Sequence, residues 1–191
     1  GESNKVENSF HINPSSDNTY FRITNPLVKI NTNNILKDNP SSELRSFITQ
    51  YSKLFKTKNS SLKRISAKSY NDKYFLIFQQ MYNDVPVMDA DIRVTLHQDG
   101  TIGRMSTSFI EGIDIDTTPM ISIDEANNFA LDIYNISDNA DNSIKVDNKG
   151  LMIHHDPDTK QSKLCWNVYI NGLLQDKNVI ANMILVDAVN G

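Results

Sequence analysis

The chain holds one cysteine, Cys165, in 191 residues, so no disulfide can form within it. That residue sits beside Trp166 in an apolar alternating run and reads as a small buried hydrophobe. Glycine is scarce, seven in all, and neither a P-loop nor a G-x-G-x-x-G pattern occurs, so a phosphate-cradling loop is hard to build. No G-x-S-x-G elbow is present, and Cys165 has no obvious activating base. No His-Glu-x-x-His occurs either, so the helix that binds catalytic zinc in many peptidases is absent. No apolar run approaches the roughly 18 residues of a membrane helix. The longest, around Met183–Val186, reads as a buried strand. There is no signal peptide, and Gly1 followed by polar residues reads as a processed start, which neither shows nor excludes export.

The composition that remains is that of a foldable domain, with 39% hydrophobic and 22% charged residues. The net charge of −4 hides an asymmetry. Residues 37–70 carry eight Lys/Arg against two acids, and residues 111–158 carry eleven acids against two bases. The basic stretch lies on the polar face and flank of an expected helix and has no nucleic-acid motif. It reads as a solvated face, or as a surface complementary to a protein partner.

Residues 1–40 are polar, rich in Asn and Ser, and read as an irregular arm with one short strand near Leu27–Ile30. A helix then starts at Ser41 or Ser42, with Leu44, Phe47, Ile48, Tyr51, Leu54 and Phe55 on one face, and ends at Asn59–Ser61. Strands are expected at 62–70, 74–82, 90–97 and 101–110. Asn83–Asp84 serves as a two-residue turn, Pro86 confines 85–88 to an edge or a strand start, and Asp99–Gly100 marks a hairpin. After the connector Glu111–Pro119 the plan repeats. Ser122 and Glu125 form a capping box for a helix whose stripe is Ala126, Phe129, Ala130, Ile133 and Tyr134. Strands follow at 143–146, 151–155, 163–170 and 180–188. The class is therefore α+β: two similar units, each a helix packed on a curved antiparallel sheet, with no βαβ alternation.

Few residues look chemically active. His154 and His155 are adjacent on a strand and point to opposite faces, so they do not easily share one ion. His11 and His97 lie elsewhere in the chain. Asp156 and Asp158 belong to a turn with no EF-hand ligand ladder. Asp114 and Asp116 share one side of an extended segment, which reads as a polar linker face. No catalytic, cofactor-binding or metal-ligating residue is assigned.

Phe78-Gln79-Gln80-Met81-Tyr82-Asn83-Asp84-Val85-Pro86-Val87 resembles the core of the fungalysin/thermolysin propeptide (FTP) domain. The likeness runs on through Ala90–Val94, His97–Gly100 and Phe109. From Ser122 the chain is similar to a PepSY domain, through Leu164-Cys165-Trp166-Asn167-Val168 and Leu185–Gly191. It departs from the pattern at Asp84 and Asp89, where the family usually has Gly, so either these turns differ or some strain is accepted.

The resemblance implies a cystatin-like fold for both units. It also implies an arm at 1–40, an FTP-like domain at 41–112, a linker at 113–121 and a PepSY-like domain at 122–191. It further implies the propeptide of a secreted or cell-envelope, bacterial, thermolysin-like zinc metalloprotease. Such a propeptide is no enzyme. It inhibits the peptidase and chaperones its folding, and its partner is the cognate catalytic domain, with no nucleic acid and no membrane span. The peptidase, with its zinc and calcium, is expected to lie outside this chain. The alternative is a free-standing secreted protease inhibitor or binding module.

Overall fold

A computed structural model describes residues 9–13, 19–24, 29–37, 42–57, 60–136, 143–174 and 178–191. The fold is α+β, mostly sheet with three short helices among the described residues, and the sheet does not close. Two compact units divide the chain. One holds residues 1–84 and 89–111, the other residues 85–88 and 112–191.

The first unit begins with two strands, β1 (Ser9–Asn13) and β2 (Thr19–Thr24), in a stretch expected to be irregular. They pair with each other, and β2 pairs in turn with β6 (Ile102–Thr107). This long-range pairing supplies backbone partners that the local Asn- and Ser-rich composition does not reveal. The short strand expected near Leu27–Ile30 reduces to an isolated bridge between Lys29 and Thr101; residues 25–28 lie outside the described residues.

The expected helix is present in two pieces, α1 (Ser42–Gln50) and α2 (Ser52–Phe55), parted at Tyr51 with φ −105° and ψ 30°. The N–H groups of Tyr51 and Phe55 still bond back four residues, so one apolar stripe survives the break. Leu44, Phe47, Ile48 and Phe55 are buried as the periodicity requires. The helix stops at Lys56, whose φ of 57° is left-handed and whose N–H donates to the Ser52 carbonyl. It therefore ends before Asn59, which lies outside the described residues together with Lys58.

That stripe packs on a meander of β3 (Ser61–Tyr70), β4 (Lys73–Tyr82), β5 (Val85–His97) and β6. β4 lies between β3 and β5, the central place its two apolar faces suggested. Its inward residues Leu76 and Phe78 meet Ile92, Val94, Leu96, Ile102 and Met105. The expected strands at 85–88 and 90–97 are one strand, with Pro86 near its start. Thr107 ties helix to sheet, its buried hydroxyl donating to the Phe55 carbonyl at 3.2 Å.

The turn between β4 and β5 keeps left-handed backbone without glycine. Asn83 has φ 47° and Asp84 φ 62°, and Asp89 further on has φ 55°. The first pair matches the two positive φ values of a type I′ hairpin turn. Of the two outcomes expected at Asp84 and Asp89, it is strain that is accepted, since both keep left-handed backbone. Asp84→Gly is expected to stabilise the protein by about 0.5–1 kcal/mol by removing that steric cost. A urea midpoint that falls for this variant would show that the aspartate is not strained.

The second unit contains α3 (Ile123–Asp132), β7 (Lys145–His155), β8 (Ser162–Leu173) and β9 (Val179–Asp187). The capping box at its start is complete: the Ser122 hydroxyl accepts from the Glu125 N–H at 3.2 Å, and the Glu125 carboxylate accepts from the Ser122 N–H at 2.7 Å. That second bond lowers the Glu125 pKa. The strands run in the order β7-β8-β9, and Val87 at the start of β5 pairs parallel with Ile153 of β7. The two strands expected at 143–146 and 151–155 are one, because the register shift at Lys149–Gly150, between paired Asn148 and Leu151, is a bulge and not a turn.

Ala126, Ala130 and Leu131 of α3 close over Val168, Ile170, Ile180 and Val186. Two members of the expected stripe stay out of this core: Phe129 is 43% exposed and Ile133 62%. The helix is apolar over a wider arc than the described strands cover.

Candidate functional site

The residues with chemical potential are spread out and engaged in structure. His154 pairs in register with Lys163, and His155 Nδ1 lies 3.0 Å from the Ser162 hydroxyl on the neighbouring strand. The Asp156 carboxylate accepts from the N–H groups of Asp158 at 2.8 Å and Thr159 at 3.2 Å, which lowers its pKa and closes the turn. Asp116 accepts from the Thr118 N–H at 2.9 Å in the extended connector. The Cys165 thiol is buried, and burial pushes its pKa up, with the Asp187 charge adding to the effect. Such a thiol is a poor nucleophile. His11 pairs in register with Arg22 on the β1–β2 hairpin. Among the described residues no group of three or more His, Cys, Asp or Glu is placed to hold a metal.

What the first unit does present is a sheet face. Directly opposed residues share a face, so the register puts Lys63 with Gln79, Lys68 with Phe75 and Tyr70 with Lys73. Across β5 and β6, Arg93 stands opposite Ser106 and Thr95 opposite Arg104. Phe75, Arg93, Thr95, Arg104 and Ser106 line a groove of about 590 Å3, with Asp89 and Asp91 at one end. The Arg93 guanidinium donates to the Asp91 carboxylate through Nε and Nη2, at 3.1 and 3.0 Å. Phe75 is 39% exposed, and Ile65, Tyr70 and the three lysines are exposed as well. The face therefore sets aromatic and aliphatic groups among five cations and two acids. It can bind a surface by complementarity, and it holds no nucleophile–base pair.

The opposite side of β4 carries one polar group that sequence patterning misses. Gln80 is fully buried beside Phe78. Its amide donates to the Ile110 carbonyl at 2.8 Å and to the Ser60 hydroxyl at 2.8 Å, and its carbonyl accepts from the Ile110 N–H at 2.9 Å. A glutamine in an alternating strand reads as surface. The missing signal was the irregular backbone after β6, which needs a partner.

Residues 66–109, from within β3 to just past β6, match the family described as Fungalysin/Thermolysin Propeptide Motif. That is a propeptide motif of thermolysin-family protease precursors and not a catalytic domain. No curated protein matches the chain. Among solved structures it is similar to the Bacillus megaterium YpeB C-terminal domain, with 17% identity over 97% of this chain and 87% of that one and a TM-score of 0.39.

Proposed function

We propose that the chain is the propeptide region of a secreted thermolysin-like zinc metalloprotease, acting as its inhibitor and as a chaperone for its folding. The match over residues 66–109 carries this reading. The Phe78–Val87 stretch inside it builds the second half of β4, the strained Asn83–Asp84 turn and the Gln80 lock on Ile110. The rest of the organisation belongs to the same proposal: an FTP-like domain at 41–112 and a PepSY-like domain at 122–191, each a helix on a curved antiparallel sheet. Zinc and calcium belong to the catalytic domain in this reading.

Inhibition and chaperoning need the same physical property, a surface that binds the folded enzyme and favours its native form on the folding route. The cationic face around Phe75 supports such a contact with an acidic enzyme surface. Lys68 and Lys73 are exposed on it, so replacing both by Glu changes charge without disturbing the core. The double variant is expected to inhibit the mature protease about tenfold more weakly at low salt, the gap closing toward about 1 M salt. Equal inhibition at low salt would remove this face from the contact.

A further inference from the structure

Two arginines of the groove stand side by side. Arg93 is opposite Ser106 and Thr95 opposite Arg104, so Arg93 and Arg104 occupy diagonal sites on one face of β5 and β6. Diagonal sites lie about 7–8 Å apart, a gap that long side chains span. Both arginines are exposed and both line the groove with Phe75 and Thr95. The Asp91 carboxylate orients Arg93 through Nε and Nη2, and a guanidinium carries five donors in all. Like charges this close repel each other, which an anion laid across them relieves.

The connector Glu111–Pro119 carries the complementary pattern. It belongs to no strand or helix. Asp114 and Asp116 are exposed and alternate with half-buried Ile113 and Ile115, so both carboxylates stand on its outer side. Two residues of extended chain span about 6.5–7 Å, close to the diagonal spacing of the arginines. The Thr118 N–H donates to the Asp116 carboxylate and lowers its pKa, which keeps that charge in place. The balance of the two units points the same way. The first carries 14 Lys and Arg against 11 acids and the second 5 against 12, so the positive unit of one copy attracts the negative unit of another.

We propose that the groove takes the connector of a second copy of this chain, with Asp114 and Asp116 of one copy pairing with Arg93 and Arg104 of the other. Under twofold symmetry each copy gives a groove and receives a connector, so the pair closes with two such contacts. Exposed ion pairs are individually weak and screened by salt, so the dimer belongs to low salt and to tens of micromolar chain, roughly. This contact needs no protease and does not rest on the propeptide reading. It uses the face that the enzyme contact proposed above also uses, so the two exclude each other.

The test is sedimentation velocity of the full chain at about 50 μM, in about 50 mM and about 500 mM salt. Wild type should run as a dimer at low salt and as a monomer at high salt. Arg93→Glu/Arg104→Glu should be monomeric at low salt, because an acidic groove then meets an acidic connector. Asp114→Lys/Asp116→Lys should be monomeric for the opposite reason. Mixed one to one, the two variants should dimerise, because each connector then suits the other's groove. All four residues are exposed, and circular dichroism checks that each variant is folded. Arg104→Gln and Asp114→Asn are milder changes, and each should weaken dimerisation about tenfold. A wild-type monomer at low salt would overturn the proposal, as would a dimer that survives high salt. Dimerisation unchanged in Arg104→Gln and Asp114→Asn, or folded reversal variants that stay monomeric when mixed, would overturn it as well.

Discussion

Gly100→Ala should destabilise the first unit by about 3 kcal/mol, among the larger effects expected of a single methyl group. Gly100 closes the hairpin between β5 and β6 with φ +83°, a conformation that costs an L side chain on its own. The added Cβ would also stand 2.1 Å from the Ile30 carbonyl oxygen. That approach is fixed from several sides. The Ile30 N–H donates to the Gly100 carbonyl at 2.9 Å, Lys29 pairs with Asp99 at 3.0 Å, and the Thr32 hydroxyl donates to the Gln98 carbonyl at 3.2 Å. Relief requires residues 29–32 to leave the turn, which would expose Ile30 and Ile35, both in the core. Urea unfolding followed by tyrosine fluorescence reads the loss. A midpoint within error of wild type would mean that the segment is not clasped to the turn.

The same clasp has an acid limit. The Thr101 N–H, then Lys29, hold the Asp99 carboxyl down at about 2 against an ordinary 3.8. A depressed carboxylate contributes stability above its unfolded pKa and loses it as pH falls through the folded value. The Asp99 contribution, through the Thr101 N–H first and Lys29 second, should therefore fade between about pH 4 and pH 2 and be fully present at neutrality.

Gln80→Leu should cost about 2–4 kcal/mol, although leucine is the more hydrophobic residue and nearly the same size. The swap leaves the Ile110 N–H, the Ile110 carbonyl and the Ser60 hydroxyl without the partner that Gln80 gives them. Orphaned buried polar groups carry the full cost of desolvation, while the gain in apolar burial is small. Gln80→Glu keeps the acceptor for the Ile110 N–H but faces the Ile110 carbonyl with a carboxylate oxygen, so it should be destabilising and worse at high pH. Equal stability of Gln80→Leu and wild type in urea would show that these bonds are worth no more than their hydration.

Local chemistry announced much of this fold. Ser122 and Glu125 marked the start of α3, Asp99–Gly100 the β5–β6 hairpin, and Asn83–Asp84 the turn before β5, each through a backbone requirement met within a few residues. The alternation in 74–82 identified a central strand because both of its faces are apolar. What stayed hidden depended on distant partners. The β1–β2 hairpin exists by pairing with β6, which no local pattern in residues 9–24 encodes. Asp147-Asn148-Lys149-Gly150 has the composition of a turn, but Asp147 and Asn148 stay paired with β8 and only Lys149 and Gly150 bulge. Periodicity put Phe129 and Ile133 in the stripe of α3, yet both stay exposed, because it could not say how far the sheet beneath extends. The cationic face was foreshadowed by the basic stretch 37–70, yet Arg93 and Arg104 join it only through the register of β5 and β6.

As proposed above, this chain restrains a metalloprotease by binding it. The direct measurement adds the purified chain in trans to the mature protease and follows casein hydrolysis as the ratio of the two is raised. Hydrolysis is expected to fall at micromolar chain, reaching its floor near one chain per enzyme, with a higher yield when the denatured protease refolds in the chain's presence. Undiminished hydrolysis at micromolar chain, with no gain in refolding, would contradict it.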